Sequence, residues 1–455
     1  MSHVLHVFMH GKTVGRVWFD AREHRFGFEY SPAWSGSRNA FGLSPAIPCG
    51  AGAIHPGAVH RYLDNLLPEG RALDIAASLN QVSKGNTFGL MHALGKEPAG
   101  AFSFIALDAS AEIAAGIARE LVLEPVRRVL SQEELSERIR ERNRTPFPVW
   151  DGRVRLSLAG YQDKLQVLAE GEQLSLVDGA LSSTHLLKPG SLDPRMPHLV
   201  ANEHFCMSLA ARMGLPAAPV QIRRIPEPIL LIERFDRSIM WDADTRGHIH
   251  AVRRLHVIDG CQALDLPPTF KYERNLGGDQ ELRGIREGAS FERLFGLLPQ
   301  MVTPATARLF LLRWAILQLL LGNGDAHGKN ISFHVQPAGL VPTPLYDLVS
   351  TAIYTEPAVR EMAMAYGDAF RLEDVSAEEL ARFAIKSNTP ATQLAREITR
   401  LADAALKQAP LQAGSENYVG EEREHVRAIS DFVCAQAERL RALAPAIRKA
   451  GADLK

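Results

Sequence analysis

Residues 322–334 read GNGDAHGKNISFH, a polar, glycine-broken run that sets Asp325, His327, Lys329 and Asn330 close together. It follows directly on LFLLRWAILQLLLG (309–322), the most apolar stretch of the chain, interrupted only by Arg313 and Gln318. A segment of that length reads as a buried helix and is too short to span a bilayer, so a charged loop is expected on a firm support. Asp325 and Asn330 lie five residues apart, and a strand ISFHV (331–335), a QPAG turn and a second strand lead on to Tyr346 and Asp347. In protein-kinase-like enzymes an Asp in such a loop takes the proton of the acceptor hydroxyl. An Asn five residues later and a second Asp beyond a β-hairpin hold magnesium. The spacing therefore predicts Asp325 as catalytic base and Asn330 and Asp347 as metal ligands. Phosphoryl transfer depends on positioning and charge neutralisation, and magnesium takes hard oxygen ligands with only one or two carboxylates. The bland alternative is a solvated loop whose Asp caps a helix and whose Asn makes a turn.

A kinase reading demands a cation on an upstream strand, and Lys188 at the end of THLLKPG fits it, though a lysine there is often only solvated. Glu203, in the helical stretch ANEHFCMSLA, is placed to hold that lysine; taken alone it reads as a surface glutamate. The segment ILLIERFDR, with Glu233, Arg234 and Phe235, suits a hinge that meets an adenine ring, or else an edge strand closed by an Arg–Asp pair. The stretch RLSLAGYQDKLQV (155–167) is expected to cover the phosphates, yet Gly160 is its one glycine, and it is neither GxGxxG nor a Walker A loop. HGKT at 10–13 is not a Walker A loop either, because His6 stands where a glycine is required.

Composition bounds the remaining readings. At 455 residues, 46% hydrophobic and 23% charged, the chain can build two or three cored domains. A formal net charge of -1 supplies no bulk field for nucleic acid or anionic membrane. The four cysteines, Cys49, Cys206, Cys261 and Cys434, stand far apart with no CxxC pair, and the N-terminus MSHVLHVFMHGKT lacks the basic and apolar regions of a secretory signal. A reducing, cytoplasmic location is expected.

Short alternating runs, VLHVFMHG, KTVGRVWFD and RFGFEYSP, predict a β-meander at the start, and LDNLLPEGRALDIAASL reads as helical. Ser131 and Glu134 are spaced as a capping box opening the helix SQEELSERIRERNR. The expected fold class is α+β, protein-kinase-like and two-lobed, with an additional N-terminal β-rich subdomain and a mostly helical C-terminal lobe. The expected divisions are an N-terminal subdomain at 1–148, a kinase N-lobe with the ATP-covering loop at 149–236, and a helical C-lobe with the catalytic loop at 237–455. After Asp236 the chain reads as mostly helical, starting from YERNLGG.

With these residues in place, the chain resembles the HipA family, the serine/threonine kinase toxins of bacterial type II toxin–antitoxin pairs. The resemblance is carried by FGFEYSPAW, YLDNLLPEG, SLAGYQDKL, HLLKPG, NEHFCMSLAARMGL, LIERFDR, CQALDLPPTFKYE, GNGDAHGKN and PLYDLVSTAIY, in that order. It implies a protein serine/threonine kinase using ATP and Mg2+. In it Asp325 is the base, Asn330 and Asp347 bind the metal, and Lys188 contacts ATP. It also implies nucleotide contacts from Ala159, Gly160, Tyr161, Gln162, Asp163 and Lys164, from Glu233, Arg234 and Phe235, and from His327, Gly328, Lys329, Asn330, Tyr346 and Asp347. Ser157 matches a serine autophosphorylated in trans to inactivate the enzyme; an ordinary strand serine is the equal alternative, and a phosphate there would add nearly two negative charges beside a triphosphate. The implied partners are a HipB-like helix-turn-helix antitoxin, operator DNA reached mainly through it, and a protein substrate such as glutamyl-tRNA synthetase or another aminoacyl-tRNA synthetase, with no membrane. Phosphorylation of such a target would stall translation and lead to persistence. Two other classes stay open: a small-molecule kinase using the same Asp and Asn, and a mainly non-catalytic co-repressor scaffold.

Overall fold

A computed structural model describes residues 2–50, 52–106, 125–155, 162–178, 181–243, 245, 247–277, 281–354 and 361–454. The chain forms two compact units, Met1–Pro189 with Arg223–Ile258 and Phe333–Ala338, and Gly190–Ile222 with Asp259–Ser332 and Gly339–Lys455.

The first unit opens with the expected meander. Strands Ser2–Met9, Lys12–Asp20 and Arg25–Tyr30 pair antiparallel, and Ser103–Ala106 adds to the free edge of the first. Alternate residues Leu5, Val7 and Val17 are fully buried, the period of two that places one face of a sheet on a core. The predicted single helix beyond Leu63 is instead two, Pro56–Leu66 and Gly70–Leu79. The break falls at Pro68, whose ring cannot continue a helix through its own position. Helix Gln132–Arg140 has Ser131 as N-cap, its hydroxyl accepting from the Glu134 N–H at 3.1 Å. The Glu134 carboxylate pairs with Arg128.

Five strands of a second antiparallel sheet lie wholly within this unit, in the order Pro228–Glu233, His185–Pro189, Leu165–Glu170, Gln173–Asp178, Val126–Leu130. Leu187 faces Leu231 in register, and both sit in a core with Leu165, Val167, Ile229, Phe147 and Trp150. Strand alternation therefore turns Lys188, opposite Leu230, to the other face. Beyond Asp236 the chain forms a β-hairpin, Arg237–Trp241 with Ile249–Arg254, ahead of the stretch from which helix is expected.

The second unit is mostly helical, as expected for the C-terminal part. Helix Pro304–Leu321 is long and apolar enough, by length and composition alone, to cross a membrane. Its residues Leu311, Leu312, Trp314 and Leu317 are nevertheless buried in the unit, and Arg313 pairs with Glu397 of helix Ala391–Ala413. Helix Ala391–Ala413 packs along Glu422–Asp453, and helices Leu199–Arg212 and Ala377–Lys386 complete the layer. Residues 272–277, the described part of the YERNLGG stretch, run through bends and a turn and not a helix. Their backbone hydrogens go to distant partners, as when the Glu273 N–H donates to Ala363 O at 3.0 Å.

Candidate functional site

The long apolar helix stops where the sequence has its first glycine after the leucines. Gly322 adopts φ 62°, ψ 42°, a left-handed cap open to glycine at little steric cost. Its carbonyl then accepts from Ala352 N–H and Thr351 Oγ, both at 3.0 Å, and the Thr351 hydroxyl accepts from Gly324 N–H at 2.8 Å. Asn323, buried, donates from Nδ2 to Gln318 Oε1 at 2.9 Å and accepts the Asp325 N–H at 3.0 Å. The last helical turn thus fixes the Asp325 backbone through side chains as well as through the chain.

Asp325 and Asn330 are brought together. Asn330 Nδ2 donates to the Asp325 carbonyl at 2.7 Å, which commits the amide's nitrogen and leaves Oδ1, a hard oxygen, as its other end. Tyr346 Oη donates to Lys329 O at 2.7 Å and meets Ser332 Oγ at 2.7 Å. That bond ties the residue before Asn330 to the residue before Asp347. Burial pushes the Tyr346 phenol well above its ordinary range, so it serves as a hydrogen-bonding group only. Asp347 itself sits at φ 55°, a left-handed backbone uncommon for a non-glycine residue and the kind of strain that clusters at functional sites.

Around this pair the loop is buried while the Asp325 side chain stays 49% exposed. His327 is buried, and burial first, with Lys271 and Lys329 adding to it and Asp347 opposing, pushes its imidazole down to about 3. It is therefore neutral, and the 3.9 Å from its Nε2 to Asp325 Oδ1 is no ion pair. Its Nδ1 accepts the Lys329 N–H at 3.2 Å, which assigns the ring hydrogen to Nε2. Lys329 Nζ reaches Asp259 Oδ2 at 2.6 Å, a buried pair. Gly328 passes so close to its surroundings that a Cβ there would lie 2.6 Å from Ala289 Cβ and 3.0 Å from Cys261 Sγ.

The other expected residues, Glu203 apart, lie in the first unit. Lys188 is 4% exposed, so the solvated reading of it is overturned. Glu203, in the second unit on helix Leu199–Arg212, is 1% exposed and no surface glutamate. Gln162 donates to Pro189 O at 3.3 Å, Lys164 is buried, and burial raises the Asp163 carboxyl near Arg142. Glu233 ends strand Pro228–Glu233, and Phe235 packs edge-on to His334. The Arg234 guanidinium is committed to both oxygens of Asp236, at 2.9 and 2.7 Å, and to Ser183 Oγ. Its backbone N–H donates to Thr184 O at 2.9 Å and its carbonyl accepts from the Arg237 N–H at 3.3 Å. Ser157, Ala159, Gly160 and Tyr161 lie outside the described residues.

Sequence reasoning gave no role to Tyr272, Lys271 or Asp259, all of which meet the loop. Tyr272 Oη donates to Asp325 Oδ1 at 2.5 Å across 53 residues of sequence. The signal was present as the stretch TFKYE, but no local spacing connects it to Asp325.

The donor set fits a hard divalent cation: an oriented amide oxygen at Asn330 and a carboxylate at Asp347, tied to one another through Tyr346. Among the described residues no three His, Cys, Asp or Glu side chains converge on a cage for a softer metal.

Residues 5–105 match the HipA N-terminal domain and residues 156–409 the HipA-like C-terminal domain. The chain is 39% identical over 391 residues to the serine/threonine-protein kinase toxin HipA of Shewanella oneidensis, spanning 86% of this chain and 84% of that protein. It is 33% identical over 455 residues to the putative kinase Y4mE of Sinorhizobium fredii, spanning 96% and 98% of the two. Its fold superposes with a TM-score of 0.84 and 35% identity on HipA from the Shewanella oneidensis complex of HipA, HipB and operator DNA, covering 98% of this chain and 99% of that one. With the kinase-like fold and a loop of this geometry, the chain belongs to the HipA family of serine/threonine-protein kinase toxins.

Proposed function

We propose that this protein transfers the γ-phosphate of ATP to a serine or threonine hydroxyl, with Asp325 as the base. The observation that carries the reading is the Asn330 amide locked to the Asp325 carbonyl, with Tyr346, the neighbour of Asp347, bonded to the carbonyl of Lys329, the neighbour of Asn330. Asp325 takes the acceptor's proton as the acceptor oxygen bonds to phosphorus and the bond to ADP breaks. Asn330 Oδ1 and the Asp347 carboxylate would hold Mg2+, which neutralises charge on the phosphates when bound. Lys188 pairs with the phosphates. Gln162, Asp163 and Lys164, continuing from Ala159, Gly160 and Tyr161, cover the nucleotide. Glu233, Arg234 and Phe235 meet the adenine through backbone groups. His327, Gly328, Lys329 and Tyr346 support the loop beneath the phosphates.

The divisions at 148 and 236 follow from the same reading, with the covering loop and Lys188 in the N-lobe and the base and metal ligands in the C-lobe. Ser157 is the autophosphorylation site that silences the enzyme. The protein works in the cytoplasm with a HipB-like helix-turn-helix antitoxin, reaches operator DNA through it, and phosphorylates a translation component of the aminoacyl-tRNA synthetase class. The Shewanella relative's complex with HipB and operator DNA supports the antitoxin assignment.

The test is label transfer from γ-labelled ATP with magnesium, comparing wild type, Asp325→Ala and Ser157→Ala, alone and in a bacterial lysate. Label on Ser157 in wild type, absent from Asp325→Ala, and one strongly labelled lysate protein are expected. Equal label in Asp325→Ala, or none with any sample, overturns the assignment of the base.

A further inference from the structure

Tyr272 touches the carboxylate of Asp325 and is clamped where it does so. Its Oη donates to Asp325 Oδ1 at 2.5 Å. The ring stands edge-on to His327, centroids 5.1 Å apart at 88°. On one side, Lys271 O accepts the Gly328 N–H at 2.8 Å, tying the tyrosine's neighbour to the catalytic loop. On the other, the Glu273 N–H donates to Ala363 O at 3.0 Å, and the buried Glu273 carboxylate accepts the Ala365 N–H at 2.7 Å. Gly288 presses on the same turn so closely that a Cβ there would fall 1.8 Å from Tyr272 O. A phenol held from its own backbone and both neighbours has few rotamers to lose when it forms its bond.

The Asp325 carboxylate is half-exposed, so without a partner it would rotate between several positions. A base has to stand within hydrogen-bond reach of the proton it takes. One oxygen is occupied by Tyr272, and the neutral His327 presents its Nε2 on the same side at 3.9 Å. From this geometry we infer that Tyr272 is a positioning residue for phosphoryl transfer, holding the Asp325 carboxylate through Oδ1 in the orientation in which it receives the acceptor's proton. The inference rests on the reading of Asp325 as the base. It excludes the opposite role, in which the phenol occupies the acceptor's own place and blocks the site.

The full-length protein is assayed for autophosphorylation and for phosphorylation of its lysate target, as wild type, Tyr272→Phe, Asp325→Ala and the double variant. Tyr272→Phe keeps the ring against His327 and removes only the hydroxyl. The expected result is a fall in kcat of roughly ten- to a hundredfold, the range for a hydrogen bond to a charged group, with KM for ATP and the thermal midpoint unchanged. In the Asp325→Ala background the same substitution should cost nothing further, because the group it positions is gone. Unchanged kcat in Tyr272→Phe overturns the inference, as does an equal loss in both backgrounds. A rise in kcat overturns it in favour of the blocking role. If Asp325→Ala transfers phosphate as wild type does, the assignment of the base fails, and that result is read separately from the effect of Tyr272→Phe in the wild-type background.

Discussion

The side-chain amide of Asn330 donates to the main-chain carbonyl of Asp325 at 2.7 Å, so the proposed metal ligand and the proposed base share one hydrogen bond. An aspartate at 330 could not make that bond, since a carboxylate only accepts. Asn330→Asp should therefore lower phosphate transfer by roughly a hundredfold or more, on the scale of losing a preorganised group at a reacting centre, although it adds an oxygen ligand. Initial rates across a magnesium titration check this: saturating magnesium should not restore the rate.

Gly328→Ala should destabilise the second unit. Its new Cβ would lie 2.6 Å from Ala289 Cβ and 3.0 Å from Cys261 Sγ, and relieving that contact should cost about 1–3 kcal/mol, the usual range for overpacking. Urea midpoints of wild type and variant measure it. Gly328→Val should lose more.

Asp236→Asn tests the ion network of the first unit. Asp236 accepts from both Arg234 and Arg237, whose side chains are 2% and 0% exposed. Burial works to raise the Asp236 carboxyl, and the two guanidinium groups overcome it and hold it well below the ordinary carboxylate range. Removing the one charge leaves two buried cations with Glu97, 3.3 Å from Arg237, as the remaining carboxylate beside them, which should cost about 3 kcal/mol. Thermal unfolding of the two proteins at neutral pH gives the difference.

Acid should weaken the first unit through His256. The ring is buried between Phe41 and Phe102, with Nε2 against Leu43 O at 2.8 Å and no partner for Nδ1 among the described residues. Burial foremost pushes it from 6.5 down to about 4. Between those values the unfolded chain binds the extra proton, so stability rises with pH and is lost as pH falls from 6.5 toward 4, by roughly 1.4 kcal/mol per pH unit. His185 and His204 are pushed down to about 4 in the same way, so wild type should show the slope of several protons. Denaturation midpoints at several pH values, compared with His256→Gln, isolate one proton's share.

The meander, the buried helix ending at Gly322 and the approach of Asn330 to Asp325 are legible because each depends on residues near in sequence: alternation of period two, an apolar run closed by glycine, and a five-residue loop spacing. The first, unbroken helical reading of residues 63–79 underweighted Pro68. The hairpin at Arg237–Arg254 is not legible because its polar strands carry no clean alternation; Ile249 and Val252 bury against Leu168, Val177 and Leu181, which lie far away in sequence. Tyr272 and Asp259 escaped for another reason. Their bonds to Asp325 and Lys329 span 53 and 70 residues, and a single sequence holds no term for such separations. Lys188 and Glu203 are buried where the sequence alone suggests exposure, since solvation of a charged side chain is the default until a fold removes it.

The buried guanidinium of Arg254 spends all five of its hydrogens on a single stretch of chain: Lys96 O, Pro98 O, Gly100 O, Phe102 O and Ser103 Oγ. Every one of those acceptors lies within the matched N-terminal domain, 5–105, and the arginine lies within the C-terminal one, 156–409. Domain boundaries drawn from family resemblance are therefore not places to cut. A fragment starting at residue 156 would carry a cation with no acceptor for any of its hydrogens, and one ending at 105 would expose the loop that receives them. Neither half can be made alone as a working piece; an attempt to express the kinase region by itself should give aggregated protein, rescued by supplying the first hundred residues on a second chain.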